Sequence, residues 1–115
     1  MKKILYISSL ITLLACESRT YEEISENVPV VEKVTYSKDI KPIIDANCIV
    51  CHSAGGQASF QPWTGYNQVK IHIDNILDRI QRQNGDPLKM PKGGSLSPMQ
   101  INIFIKWKAD GLPEN

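Results

Sequence analysis

Cys48, Cys51 and His52 form a Cys-x-x-Cys-His run inside the stretch "NCIVCHSAGG". Four chemistries use two thiols at that spacing. The pair can cycle between dithiol and disulfide, supply half of a zinc site, or close a small disulfide loop. It can also form thioether bonds to the two vinyl groups of a porphyrin, with the adjoining histidine as a ligand to the iron. The elements that carry the run discriminate among the four.

A helix leads into the motif. In "YSKDIKPIIDANCIVCH", Ser37 is a candidate N-cap and Asp39 falls in the first turn. Ile40, Ile43 and Ile44 share one helical face, and the helix ends near Cys48. Pro42 sits either in the first turn or at a slight kink. A thioredoxin-like dithiol needs a preceding strand, which this pattern does not provide. A zinc site needs four ligands, and the remaining nitrogen or sulfur donor of the usual kind is His72, at the wrong spacing for a finger. A disulfide across two residues closes too small a loop to stabilise much. Haem attachment has everything it needs.

Two further helices follow. In "YNQVKIHIDNILDRIQRQ", Val69, Ile73, Ile76, Leu77 and Ile80 make a buried stripe, with Asp74, Asp78 and Arg82 on the other side and "NGDP" as the stop. The last helix begins at "LSPMQI", where Ser97 caps, Pro98 takes the first helical position and Gln100 completes a capping box. Leu96 and Ile101 are placed for a hydrophobic staple, Ile101, Phe104 and Ile105 for the buried face, and Trp107 for its margin. Gly111 ends it. The segments "SAGGQASFQPWTG" and "GDPLKMPKGGS" have no period and read as loops, and no strand pattern runs beyond a few residues. The fold class is all-α.

The N-terminal end has the layout of an export signal, so the domain is expected outside the cytoplasm. "MKKILYISSLITLLAC" pairs two lysines with an apolar run from Ile4 to Ala15, too short to span a bilayer as a stable helix. It closes on "LLAC", which resembles a bacterial lipobox with Cys16 as the lipidated residue. The expected organisation is a signal peptide over residues 1–15, an acidic tether over 16–34 and one domain over 35–115. Cys16 then absorbs the odd cysteine, leaving Cys48 and Cys51 as a pair. Removing Lys2 and Lys3 turns thirteen basic residues into eleven against twelve acidic ones, a balance of −1 that argues against a nucleic-acid partner. A domain of about 80 residues has a marginal core and leans on a staple. A haem would supply one, and c-type haem is attached outside the cytoplasm.

The pieces "SKDIKPIIDANCIVCH", "KMPKGG" and "LSPMQINIFIKWKADG", in that order, resemble a small bacterial class I cytochrome c domain of the lipoprotein type. The resemblance implies an all-α fold of three main helices around one covalent haem c, with the first and last helices crossing near one haem edge. It implies Cys48 and Cys51 as attachment points, His52 as one iron ligand and a methionine from the loop before the last helix as the other. Lys108 departs from the pattern where family members often place an apolar residue. The loop after His52 is short of prolines, and Pro62 is the expected backbone partner of the His52 ring.

Met90 is the expected second ligand, because "LKMPKGG" is a Pro/Gly-rich loop able to wrap over a flat ring. Met99 competes from the first turn of the last helix, where core packing is its expected role. His72 competes from the flank of the apolar stripe, about 60° from its centre. Arg79, Arg82, Lys89 and Lys92 are candidates for haem propionates or for an acidic partner. His/Met ligation leaves no open coordination site, so the expected function is single-electron transfer between redox proteins of the cell envelope, with membrane attachment through Cys16 and no catalysis. The alternative is a haem-based ligand-binding or sensing module whose sixth ligand is absent or displaceable.

Overall fold

In the computed structural model, which describes residues 32–115, helices carry the regular structure and no strand occurs among those residues. The signal segment, Cys16 and the tether up to residue 31 lie outside the described residues. Among the described residues no helix is long and apolar enough to cross a membrane.

The first helix opens as a π-helical turn, Tyr36–Ile40, and continues directly as α1, Lys41–Asn47. Ile40 and Lys41 hydrogen-bond five residues back, to the carbonyls of Thr35 and Tyr36. Pro42 accounts for the junction. It has no N–H to offer, and it sits in the first turn of α1 where that loss is least disruptive. Ser37 is not the cap: Thr35 holds that position, its N–H donates to the Asp39 carboxylate at 2.8 Å, and the Ser37 hydroxyl reaches Asn115 instead. Ile40, Ile43 and Ile44 are all buried, as their spacing predicts.

The middle apolar stripe is also buried, from Val69 through Ile73, Ile76 and Leu77 to Ile80. It lies on two helices rather than one: α2, Tyr66–Ile71, and α3, Ile73–Ile80. The chain tightens at His72, whose N–H reaches only three residues back to Val69 at 3.3 Å. Ile71, two residues from Val69 and so off the stripe, is 74% exposed.

The last helix, α4, Pro98–Ala109, starts on the expected capping box, with both the Ser97 and Gln100 bonds formed. Leu96 is buried just before it, and Ile101 packs against the core. The buried face is turned from the predicted one: Phe104 and Trp107 are fully buried, Ile101 and Ile103 partly so, and Ile105 is exposed. Met99 is 73% exposed and packs into no core. Lys108 points outward and pairs with Asp74 at 2.6 Å, so its charge is accommodated at the surface. Gly111 stops α4 in a left-handed conformation at φ +88. Its N–H bonds to Lys108 and that of Leu112 to Trp107, which completes a Schellman cap.

α4 packs against both the π-helical turn and α3. Where they meet, Tyr36, Tyr66 and Trp107 form an aromatic cluster with ring centroids 5.5 to 6.4 Å apart. The C-terminal tail seals it. Pro113 accepts from the Trp107 indole and from the Tyr36 N–H, and Leu112 accepts from the Tyr66 hydroxyl. Val34, at the end of the expected tether, is buried, and its N–H donates to the Asp110 carboxylate at 2.9 Å.

Candidate functional site

α1 ends at the Cys-x-x-Cys-His run. Cys48 is its C-cap, and the N–H groups of Cys51 and His52 both turn back to the Cys48 carbonyl, at 3.2 and 2.9 Å. This single turn gathers two thiols and an imidazole at one helix end. Cys48 and Cys51 are not joined in a disulfide, and each is half-buried. Burial pushes the Cys48 thiol up to about 11, so it is protonated at neutral pH. A thiol so placed is a poor redox nucleophile.

The loop that follows folds back onto the motif. Ala58 donates to the Cys51 carbonyl at 2.9 Å and Trp63 to the His52 carbonyl at 2.8 Å. Gly56 makes the approach possible, since a Cβ there would stand 2.2 Å from the Cys51 oxygen. The His52 Nδ1 lies 2.8 Å from the carbonyl oxygen of Gln61, one residue before the expected Pro62. Only a protonated Nδ1 can donate to a carbonyl, so the lone pair of the neutral ring is on Nε2. That is the second-sphere bond a metal-ligating histidine uses to fix its tautomer and orientation. Trp63, buried, packs its ring 5.2 Å from His52 and supports it further.

These groups line a cavity of about 400 Å³. Ile44 of α1, Trp63 of the loop, and Ile76 and Ile80 of α3 give it apolar walls. Cys48, Cys51, His52 and Met90 all stand on the same lining. Met90 arrives from the loop after α3, which is tied down: its N–H donates to the Arg79 carbonyl at 3.1 Å. Asp86 braces the same loop, accepting from Arg82 at 2.9 Å and from the Leu88 N–H at 2.7 Å. These two bonds, the Leu88 one foremost, hold the Asp86 carboxyl below its ordinary range. Lys89 adds a bond to the Arg82 carbonyl. The Pro/Gly-rich segment is therefore pinned to α3.

The rival ligands are elsewhere. His72 does not line the cavity; its ring packs edge-on against Trp63 at 5.0 Å. Met99 is at the surface and also absent from the lining. Of the four cationic candidates, Arg79 and Lys92 line the cavity, whereas Arg82 and Lys89 are used in bracing the loop.

The donor set fits a covalently held haem. Two thiols, one imidazole with a free Nε2 and one thioether border an apolar cavity, the size of which falls among cofactor sites. Gln61 and Gly56, both needed for that arrangement, carry no signal that spacing or hydropathy could reveal. No family model matches this chain, and no curated protein or solved structure matches it either.

Proposed function

We propose that this protein is a monohaem c-type cytochrome that carries single electrons between redox partners outside the cytoplasm, tethered to the membrane through lipid on Cys16. The observation that carries the proposal is the convergence of Cys48, Cys51, His52 and Met90, from two separate loops, on one apolar cavity. In the cytochrome c-like fold this implies, Cys48 and Cys51 would hold the haem through thioether bonds. The bound haem supplies one-electron chemistry at its iron. The chain does the rest: His52 presents Nε2 because Gln61 occupies Nδ1, Met90 is held by Arg79, and Trp63 and the isoleucines exclude water. With His52 and Met90 as its protein ligands, a bound haem would leave no place for a substrate at the metal, which would suit electron transfer. Among the described residues no carboxylate lines the cavity.

Met90 decides between carrier and sensor. In the carrier, the ferric protein shows the weak near-infrared sulfur-to-iron charge-transfer band and does not bind carbon monoxide when reduced. Met90→Ala abolishes the band, lowers the reduction potential and opens the iron to carbon monoxide, while Met99→Ala leaves all three unchanged. Ready carbon monoxide binding by the wild type, unaltered in Met90→Ala, would favour a ligand-sensing module instead.

A further inference from the structure

Asn75 and Arg79 lie one turn apart on α3, beside the apolar pair Ile76 and Ile80 that walls the same cavity. α3 thus offers the cavity an apolar stripe with a polar one along its edge. The two arginines near this helix end are in different situations. Arg82 is committed to its neighbours, with four hydrogen bonds to Asp78 and Asp86 between 2.9 and 3.1 Å. Arg79 makes no side-chain hydrogen bond among the described residues; its nearest anion is Asp78, 3.5 Å from Nε and half-exposed. The other cation on the lining, Lys92, is spent on the Pro87 carbonyl. Among the described residues no Asp or Glu lines the cavity. A guanidinium with open donors at the rim of an apolar cavity is matched by a carboxylate, which it binds in a fork.

We infer that Arg79, helped by the Asn75 amide, is the carboxylate clamp of this cavity and receives an acidic edge group of the bound cofactor. The inference rests on the haem proposal and adds which residue fixes the ring in its plane. Because the Arg79 carbonyl also holds the Met90 N–H, one residue positions both the carboxylate and the loop that bears the sulfur. Arg79 is a positioning residue here. Its positive charge offsets the carboxylate and favours the reduced iron, so its removal shifts the couple downward.

The test is equilibrium redox titration of the holoprotein, with the near-infrared band of the oxidised form recorded alongside. Arg79→Gln should lower the midpoint potential while the band persists, because the backbone bond to Met90 is untouched. Arg79→Lys should recover most of the shift, Asn75→Ala should give a smaller shift of the same sign, and Lys41→Gln, an exposed cation off the lining, should give none. An unchanged potential in Arg79→Gln, or an equal shift in Lys41→Gln, overturns the clamp while leaving the haem proposal standing. Should Arg79→Gln yield no holoprotein, Asn75→Ala and Arg79→Lys decide: a wild-type potential in Asn75→Ala together with a lowered one in Arg79→Lys counts against it. A wild type without haem overturns both.

Discussion

Where Tyr36, Tyr66 and Trp107 meet, the chain completes itself. The aromatic rings pack on one another, and the tail from Leu112 to Pro113 accepts from the Tyr66 hydroxyl, the Trp107 indole and the Tyr36 N–H. Where Cys48, His52 and Met90 meet, the same level of polar order surrounds a cavity of about 400 Å³ with apolar walls. The loops around it are not loose. Gln61 orients His52, Arg79 holds Met90, and Gly56 lets the backbone close on Cys51. One region satisfies its own groups; the other borders an apolar cavity, which on the proposal above a haem would fill. A domain of this size has a marginal core, so on that proposal the cofactor would contribute much of its stability.

The largest effect should come from denying the open region that occupant. The double variant Cys48→Ala, Cys51→Ala is expected to be largely unfolded by circular dichroism. A cooperative thermal transition in it would mean that the aromatic region alone sustains the fold. Next, Trp107→Ala removes a fully buried indole and the bond to Pro113, and should destabilise the holoprotein by about 3–5 kcal/mol in chemical denaturation. The visible spectrum of the folded fraction should not change, since the substitution acts on the closed region; a changed spectrum would show that the two regions are coupled.

Gly56→Ala sharpens the contrast from the other side. Its Cβ would meet the Cys51 backbone, so a destabilisation of about 1–3 kcal/mol is expected, together with reduced haem incorporation. Wild-type incorporation and stability would mean that the close approach of this loop is dispensable. The smallest effect concerns acid. The Lys106 ammonium, with the Val34 N–H after it, holds the Asp110 carboxyl below its ordinary range. A depressed folded value means that Asp110 stabilises at pH above the ordinary carboxylate value and loses that contribution as pH falls through the depressed one. Asp110→Asn should therefore make stability less steep with pH at the acid end, measured by denaturant titration between neutral pH and the acid limit. An unchanged slope would show that this carboxylate does not tie Val34 to α4.

The closed region and the open one were legible to different degrees. The Ser97 capping box, the Gly111 stop and the stripe from Val69 to Ile80 are local signals, and local signals survive folding. α4 is the counter-example. Ile101, Ile103, Phe104, Ile105 and Trp107 ring the helix with apolar side chains, so periodicity cannot say which face turns inward, and Trp107 rather than Ile105 proves central. The tail that seals it bonds across the chain, beyond the reach of any local pattern. At the cavity, residue types and the Cys-x-x-Cys-His spacing pick out side chains that the fold brings to one lining. The supports could not be read: the Gln61 carbonyl belongs to the backbone and every residue has one. Arg82, by contrast, has Asp78 four residues before it and Asp86 four after, a spacing that already sets it apart from Arg79.

The central claim is that Cys48 and Cys51 are bonded to a haem, and intact mass measurement of the purified wild-type protein under denaturing conditions tests it most directly. The account predicts a single species heavier than the polypeptide by one haem, with the addition mapped to the peptide that contains Cys48, Cys51 and His52. An unmodified mass, with both thiols free to alkylate and all pigment extracted into acidified organic solvent, would contradict it.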